Sequence, residues 1–113
     1  MAMEERRFKS QVELFRYVWD NSDKKSAICG EDLNKYNGTS WFMNCFMHVL
    51  PKGRYTRYKY NPDNIMLATP VQHFLIDQGS RKQRKEYEEE HNCSFDVFFK
   101  KKEELLARYQ EID

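Results

Sequence analysis

The segment NPDNIMLATPVQHFLID, residues 61–77, carries the clearest signals of local structure in the chain. Its apolar run Ile65-Met-Leu-Ala68 has the length of a short strand. The next residues favour a helix, because Thr69 suits the N-cap and Pro70 suits the first turn, where no amide partner is needed. Gln72 completes a capping box with Thr69. The segment therefore predicts a strand followed directly by a helix.

The residues on either side extend this pattern. Residues 39–50 are rich in Trp, Phe, Met and Val and lack a helix cap, which predicts an earlier strand. Residues 51–64 contain Gly53, Pro62 and many polar side chains, which is typical of a loop. Gly79 is a natural end for the capped helix. The centre of the chain is therefore predicted to be strand, long loop, strand and helix.

A helix is also predicted near the N-terminus. Ser10-Gln-Val-Glu13 has the pattern of a capping box. Val12, Phe15 and Trp19 recur at helical spacing and predict the buried face of this helix. We therefore expect a first helix over residues 10–20.

The last third of the chain is predicted to add two helices, at about residues 80–90 and 95–110. No repeat, low-complexity tract or linker divides the sequence. We therefore predict an α+β fold in a single domain, residues 1–113. The N-terminal helix belongs to residues 1–23, the two strands and capped helix to 24–79, and the C-terminal helices to 80–113.

The composition limits the class of protein. The chain has 113 residues, enough for one domain, and its 15% aromatic residues argue against disorder. No apolar run approaches the roughly 20 residues needed to cross a bilayer, and the N-terminus lacks the order of a signal peptide. We therefore expect neither a membrane protein nor a secreted one. Because the net charge is only +1, nucleic-acid binding would have to come from a local basic cluster.

The cysteines indicate the compartment. Cys29, Cys45 and Cys93 are odd in number and scattered. This spacing does not fit a disulfide framework. We therefore expect the protein to work in the reducing cytoplasm.

Four residues of the central unit have the chemistry of a catalytic site. His48 lies at the end of the first predicted strand, and Asn64 opens the second. His73 lies one turn into the predicted helix, and Asp77 follows it at i+4, so both leave one helical face. An imidazole suits proton transfer near neutral pH.

In these residues the sequence resembles the HNH endonuclease family, whose fold is a β-hairpin followed by a helix around one divalent metal, the ββα-metal finger. The resemblance covers roughly residues 24–79. It rests on three segments: Met47-His-Val-Leu-Pro-Lys-Gly53, Asn61-Pro-Asp-Asn-Ile-Met-Leu67 and Thr69-Pro-Val-Gln-His-Phe-Leu-Ile-Asp77. The resemblance is to the form of the family in which the helix supplies two metal ligands.

The resemblance implies hydrolysis of DNA phosphodiester bonds with one divalent metal ion. It makes His48 the general base and Asn64 a residue that braces the loop through its carboxamide. His73 and Asp77 become the metal ligands, with Mg²⁺ or Mn²⁺ as the first choices and Zn²⁺ or Ni²⁺ as alternatives. The small size and the lack of an appended reader domain suggest, by family analogy alone, a phage or prophage protein acting in the cytoplasm of an infected bacterium.

The sequence departs from the family at two places. Met47 stands where many members have an Asp or His as a third metal ligand, and a thioether is a poor ligand for Mg²⁺ or Mn²⁺. We therefore expect weak metal binding. Many members also hold a structural zinc with two Cys-x-x-Cys pairs, whose positions here are Ser26 and Cys29, then Thr69 and Gln72. One thiolate cannot make a tetrahedral zinc site, so no structural zinc is predicted.

A basic and aromatic cluster in the loop is the candidate for substrate contact. Cations bind phosphates, and tyrosine rings stack on bases or sugars. Its proposed nucleic-acid-binding residues are Lys52, Arg54, Tyr55, Arg57 and Lys59. The alternative is a solvated loop whose tyrosines cover the core. The basic residues 81–85 could extend the same surface, or form an ordinary solvated helix face.

Each site residue also has a plain structural interpretation. His48 could be satisfied by backbone groups at a strand end, Asn64 could be a turn residue, and His73 with Asp77 could be a helix-stabilising pair. The alternative function is a degenerate HNH-fold module that binds nucleic acid or a protein partner without cutting. A further option is a virion or host-takeover protein that keeps the fold for structure only.

Overall fold

The computed structural model describes residues 8–51, 53–55, 58 and 60–112, with side chains described as far as residue 108. The predicted α+β class is confirmed, with four helices and one two-stranded antiparallel sheet in this part of the chain. In chain order the elements are α1 (Gln11–Asp20), β1 (Phe46–His48), β2 (Ile65–Leu67), α2 (Pro70–Asp77), α3 (Arg81–His91) and α4 (Asp96–Ile112).

The two strands form the predicted hairpin, in which Phe46 pairs with Leu67 and His48 with Ile65. β1 is much shorter than the strand predicted over residues 39–50. Hydrogen bonds within the chain explain the difference: the Thr39 hydroxyl donates to the Tyr36 carbonyl at 2.7 Å and accepts from the Trp41 amide at 3.1 Å. Such local bonds compete with a strand ladder.

α1 begins where the sequence predicts, with the Ser10 hydroxyl accepting a hydrogen bond from the Glu13 amide at 3.2 Å. Its predicted buried face is partly wrong. Phe15 and Trp19 are buried, but Val12 is 60% exposed and Leu14 is buried in its place. The helix packs against the hairpin through Leu14, Phe15 and Trp19, which leaves Val12 at the edge of this contact.

α2 has the predicted capping box in full. The Thr69 hydroxyl accepts from the Gln72 amide at 3.2 Å, and the Gln72 side-chain oxygen accepts from the Thr69 amide at 2.9 Å. Gly79 follows the helix as predicted, and its amide donates to the Leu75 carbonyl. A Cβ at position 79 would lie 2.6 Å from that carbonyl oxygen, so the chain passes too close for any other residue.

α3 has the N-cap Ser80. Its basic first half opposes the helix dipole, and Arg84 supplies a reason for part of that charge. The guanidinium of Arg84 donates to the carbonyls of Leu75 and Gly79, at 3.1 and 2.8 Å. It therefore caps the C-terminal end of α2 and ties the two helices together.

Two clusters of buried apolar side chains lie on opposite faces of the hairpin. Alternation along β1 sends Phe46 and His48 to one face and Met47 to the other. The first cluster joins Phe46 and Leu67 to α1. The second joins Met47 to Leu75 of α2, to Phe95 just before α4, and to Phe98 and Leu105 of α4. The hairpin is therefore the middle layer, with α1 on one side.

Within the described residues, no helix combines the length and apolar character that crossing a membrane requires.

Candidate functional site

The buried side chain of Asn64 holds the end of the hairpin loop in place through hydrogen bonds to its backbone. Its side chain is fully buried and accepts from the Leu50 amide at 2.7 Å. The same carboxamide donates to the Leu50 carbonyl at 2.9 Å and to the Tyr58 carbonyl at 3.3 Å. The Asn64 carbonyl also accepts from the Val49 amide at 2.8 Å. These are the contacts that a bracing residue needs, and they hold the backbone that directly follows His48.

His48 is the last residue of β1, and its side chain is partly exposed on the face of the hairpin that α1 covers. The centroids of its ring and of the Phe15 ring are 6.0 Å apart. Phe15 in turn stacks on Phe46, with ring centroids at 4.4 Å. The imidazole therefore lies beside an aromatic stack on a residue that is only partly buried, and a base that acts on water needs such access to solvent.

His73 and Asp77 lie together on α2 as predicted. His73 Nε2 is 3.0 Å from Asp77 Oδ2, and the side chains are 22% and 55% exposed. His73 Nδ1 is 2.8 Å from the carbonyl oxygen of Asn44. A carbonyl can only accept, so Nδ1 carries a proton and donates it.

This hydrogen bond decides what the pair can hold. A neutral imidazole that donates from Nδ1 has its lone pair on Nε2, which here faces the carboxylate of Asp77. Two electron-rich groups at 3.0 Å repel unless a proton or a metal cation lies between them. The arrangement also has the form of many metal sites, in which a ligating histidine donates its other ring N–H to a backbone carbonyl. A proton on Nε2 makes the two side chains an i,i+4 ion pair, and a divalent ion in place of that proton would have Nε2 and Oδ2 as two of its ligands.

The two helix residues are not joined by a third ligand in the described part of the chain. No group of three or more His, Cys, Asp or Glu side chains there is arranged to hold a metal ion. Met47, at the position of the third ligand in the resemblance, is 1% exposed and lies in the apolar cluster with Leu75. The remaining ligands of an ion at His73 and Asp77 would have to be water or substrate.

The four positions that the resemblance assigns to a structural zinc lie close together, although three of them are not cysteine. The Ser26 hydroxyl donates to the Gln72 side-chain oxygen at 2.6 Å, and Gln72 Nε2 donates to the sulfur of Cys29 at 3.0 Å. Gln72 also forms the capping box with Thr69. Hydrogen bonds among neutral groups thus link the two segments of chain at this point. We call Ser26, Cys29, Thr69, Gln72 and Tyr87 the knuckle network.

Tyr87 of α3 is the member of the network that the sequence did not indicate. Gln72 Nε2 donates to its hydroxyl oxygen at 3.2 Å. Burial raises the pKa of Tyr87, and it also raises the pKa of Cys93 in the turn that follows α3. Nothing in the spacing of Tyr87 links it to the central unit, because its position depends on how α3 packs.

The basic loop cluster is only partly within the described residues. The Arg54 guanidinium lies over the Tyr55 ring, 5.6 Å from its centroid, and Arg54 is exposed. Lys52, Arg57 and Lys59 lie outside the described residues. The visible part is therefore one exposed cation next to an aromatic ring.

The four predicted site residues form two pairs. His48 and Asn64 share the loop end of the hairpin, and His73 and Asp77 share one face of α2. Residues 44–48 connect the pairs, since the Asn44 carbonyl orients His73 and the same segment ends at His48. The role of Asn44 could not be predicted, because a main-chain oxygen leaves no signal in the sequence.

Comparisons with protein-family models, with curated proteins and with solved structures found no match to this chain.

Proposed function

We propose that this protein is an HNH-type endonuclease, which hydrolyses phosphodiester bonds of DNA with the help of one divalent metal ion. The observation that carries the proposal is the setting of His73. Its ring is held by a backbone carbonyl on one side and presents Nε2 to the Asp77 carboxylate on the other. A merely structural i,i+4 pair on a helix surface does not need the first of these bonds.

The knuckle network supports the HNH-like ββα finger within the α+β fold. The resemblance assigns four positions, in the two separate segments 26–29 and 69–72, to a single zinc site. The hydrogen bonds of Gln72 with Ser26 and Cys29 span sequence separations of 46 and 43 residues. Positions chosen from a family pattern have little reason to meet in an unrelated fold.

In this proposal His48 is the general base. It removes a proton from the attacking water and needs a fixed backbone and a partly solvated ring. Asn64 positions the chain after His48 through its bonds to both polar groups of Leu50. His73 and Asp77 hold the divalent ion. When bound, the ion supplies positive charge that stabilises the negative charge developing on the phosphate and the leaving oxygen.

Arg54 and Tyr55 are proposed to contact the substrate next to this site. The exposed guanidinium attracts phosphate, and the ring below it limits the positions that the guanidinium adopts. Lys52, Arg57 and Lys59 belong to the same proposed surface. The expected partner is therefore DNA, and the expected compartment is the cytoplasm.

The test is nicking of supercoiled plasmid in the presence of Mg²⁺, Mn²⁺, Ni²⁺ or Zn²⁺. The parent should convert the plasmid to the open circle, and His48→Ala should lose at least about 100-fold of the rate, as expected for removal of a general base. His91→Ala is the matched control, because this third histidine is exposed at the end of α3 and should leave the rate unchanged. Equal nicking by the parent and His48→Ala would contradict the proposal.

One observation favours the second candidate function, a finger that binds nucleic acid or a protein partner without cutting. Met47 is packed in the apolar core and supplies no third ligand. Absence of nicking with every metal, together with a gel shift that Arg54→Ala weakens, would support this module over the enzyme. Absence of both would leave a protein-binding role as the better explanation.

A further inference from the structure

The charges of α3 are separated along its axis. The first five residues of the helix carry four positive charges, and the next five carry four negative ones. The cations are Arg81, Lys82, Arg84 and Lys85, and the acids are Glu86, Glu88, Glu89 and Glu90. The N-terminus is the positive end of a helix dipole, so each half of α3 has the charge that the dipole disfavours. The stability of the helix therefore does not account for this order.

One of the four cations has a role within the fold, and three do not. Arg84 caps α2 through its bonds to the carbonyls of Leu75 and Gly79. The other three are exposed, and their side chains form no ion pair with any residue that the structure describes. We call them the α3 basic patch: Arg81, Lys82 and Lys85. Local rules are broken in this way mostly where a chain binds or acts.

Arg84 also fixes the place of the α3 basic patch in the fold. Its guanidinium ties the start of α3 to the end of α2, with 3.1 and 2.8 Å to two carbonyl oxygens there. Asp77 is the last residue of α2, and three residues separate it from Arg81. Their Cα atoms are therefore at most about 14 Å apart, a length over which one strand of duplex DNA carries about four phosphates. A strand with one phosphate at Asp77 can bring a nearby phosphate to the patch.

The acids near the patch favour a long anion over a small one. Glu88 and Asp96 line the cleft between α3 and α4 together with Arg81 and Lys85, so a small anion that enters the cleft meets charges of both signs. A DNA duplex instead contacts the exposed cations from outside and carries many phosphates at once. The acidic second half of α3 repels phosphates, so we expect the DNA backbone to cross only the N-terminal half of the helix.

We propose that the α3 basic patch binds the phosphate backbone of the DNA, on the Asp77 side of the cleaved bond. The inference rests on the proposed function, because it takes the strand held at His73 and Asp77 as the one that reaches the patch. Contacts to phosphates add affinity but do not select a base sequence. Each phosphate that a cation neutralises releases counterions, so this binding weakens as the salt concentration rises.

The test measures the binding of a fluorescently labelled DNA duplex by anisotropy at several salt concentrations, with EDTA present to prevent cutting. The patch variant combines Arg81→Gln, Lys82→Gln and Lys85→Gln, because glutamine removes the charge and still favours a helix. Its affinity at low salt should be at least tenfold below that of the parent. The slope of log association constant against log salt concentration should become less steep by about 2 to 3, since each phosphate contact contributes about 0.9.

The matched control combines Arg16→Gln, Lys25→Gln and Lys100→Gln, which remove the same three charges from exposed positions outside α3. Its salt slope and its affinity should stay close to those of the parent. An unchanged slope in the patch variant would overturn the inference. So would an equal decrease in the patch variant and the control, because net charge alone would then explain the binding.

Thermal unfolding separates binding from folding in the patch variant. Because the variant loses cations from the positive end of a helix dipole, its melting temperature should equal that of the parent or exceed it. A lower melting temperature would show that the three cations stabilise α3, and would overturn the inference. Competition by polyglutamate as strong as that by unlabelled DNA would also overturn it, and would identify an acidic protein as the partner.

Failure of this inference and failure of the proposed function give different results. Nicking that requires a metal and His48, together with DNA binding that the patch variant leaves unchanged, would keep the nuclease and reject the patch. DNA binding that the patch variant weakens, without nicking by the parent in any metal, would keep the patch and reject the nuclease.

Discussion

Gln72 and His73 are neighbours on α2 but belong to two different regions. Gln72 is fully buried, and its side chain bonds to Ser26, Cys29, Tyr87 and the Thr69 amide. The side chain of His73 is 22% exposed and is fixed by the Asn44 carbonyl, with Nε2 left facing Asp77. Buried polar groups with complete hydrogen bonding stabilise and specify a fold. A partly exposed imidazole and carboxylate that face each other, as in His73 and Asp77, can bind a cation.

The two regions of α2 have separate requirements. At the knuckle network, hydrogen bonds link the segment around Ser26 to the start of α2. At His73 and Asp77 an imidazole and a carboxylate face each other, and a proton or a cation can bridge them. The knuckle network is therefore expected to control stability, and the pair to control chemistry.

The largest expected effect comes from placing four cysteines at the positions that the resemblance assigns to a zinc site. Ser26→Cys, Thr69→Cys and Gln72→Cys would add three thiolates to that of Cys29, and the four together are the ligand set of a structural zinc. Zinc contributes on the order of 10 kcal/mol in small domains that depend on it. We expect the triple variant to bind one Zn²⁺ per chain and to lose its thermal transition in a chelator, as measured by calorimetry.

Cobalt provides the control for this variant. Co²⁺ bound to four thiolates in a tetrahedral site absorbs in the visible, and the band should be lost when Cys29→Ser is added. Absence of metal uptake by the triple variant would show that the four positions do not converge as described, and would weaken the HNH interpretation.

The second effect is the loss of the network's central amide. Gln72→Ala leaves the Thr69 amide and the Ser26 hydroxyl without their partner in a buried setting, so the free energy of unfolding should fall by about 4 kcal/mol. Gln83→Ala is the matched control. Gln83 has the same capping-box position in α3 but is exposed, and its loss should cost about 1 kcal/mol or less. Urea denaturation measures both, and equal losses would contradict the special role of the network.

The third prediction concerns Asn64, which resembles Gln72 in burial but lies beside His48. Asn64→Ala removes three side-chain hydrogen bonds to the loop backbone, so we expect a loss of about 3 kcal/mol in the free energy of unfolding. Nicking should also fall, because the chain after His48 loosens. His48→Ala should lower nicking with little change in stability. Nicking by Asn64→Ala at the parental rate, at a temperature where it is folded, would show that bracing is not needed.

The ends of α2 show what the sequence could predict. Thr69, Pro70 and Gln72 act within one turn of helix, so their pattern predicts the cap directly. His73 and Asp77 follow, because spacing of four residues fixes a shared helical face. The four knuckle positions could be assigned only through the resemblance, since their contacts join distant segments.

Elsewhere, contacts that the residue pattern does not indicate determined the structure. Val12 has the spacing of a buried residue, but α1 packs through Leu14 instead. Thr39 and Trp41 suit a strand, but side-chain bonds to nearby backbone stop one from forming. The partner of the His73 ring is the backbone carbonyl of Asn44, and a carbonyl is common to every residue. The exposure of Val12 and the partner of His73 depend on how helices and strands pack together, which the pattern of one sequence does not show.

The smallest expected effect concerns Cys45, which lies between the two regions: Asn44 precedes it, and its carbonyl accepts from Ala68, the neighbour of Thr69. Burial raises the pKa of its thiol from 9.0 to about 11. Between these values the unfolded chain has released the proton and the folded chain keeps it, so stability present below pH 9 is lost as the pH rises to 11. The thiol's share of this loss is about 2 kcal/mol.

Urea denaturation from pH 8 to 11 measures this effect. The free energy of unfolding should fall more steeply with pH for the parent than for Cys45→Ala. Part of the fall should remain in the variant, because burial also raises the pKa of Tyr36 and of Tyr87. If the free energy of unfolding fell equally with pH in both proteins, water would reach Cys45. The segment of Asn44 and Cys45 would then be packed less tightly than the structure indicates.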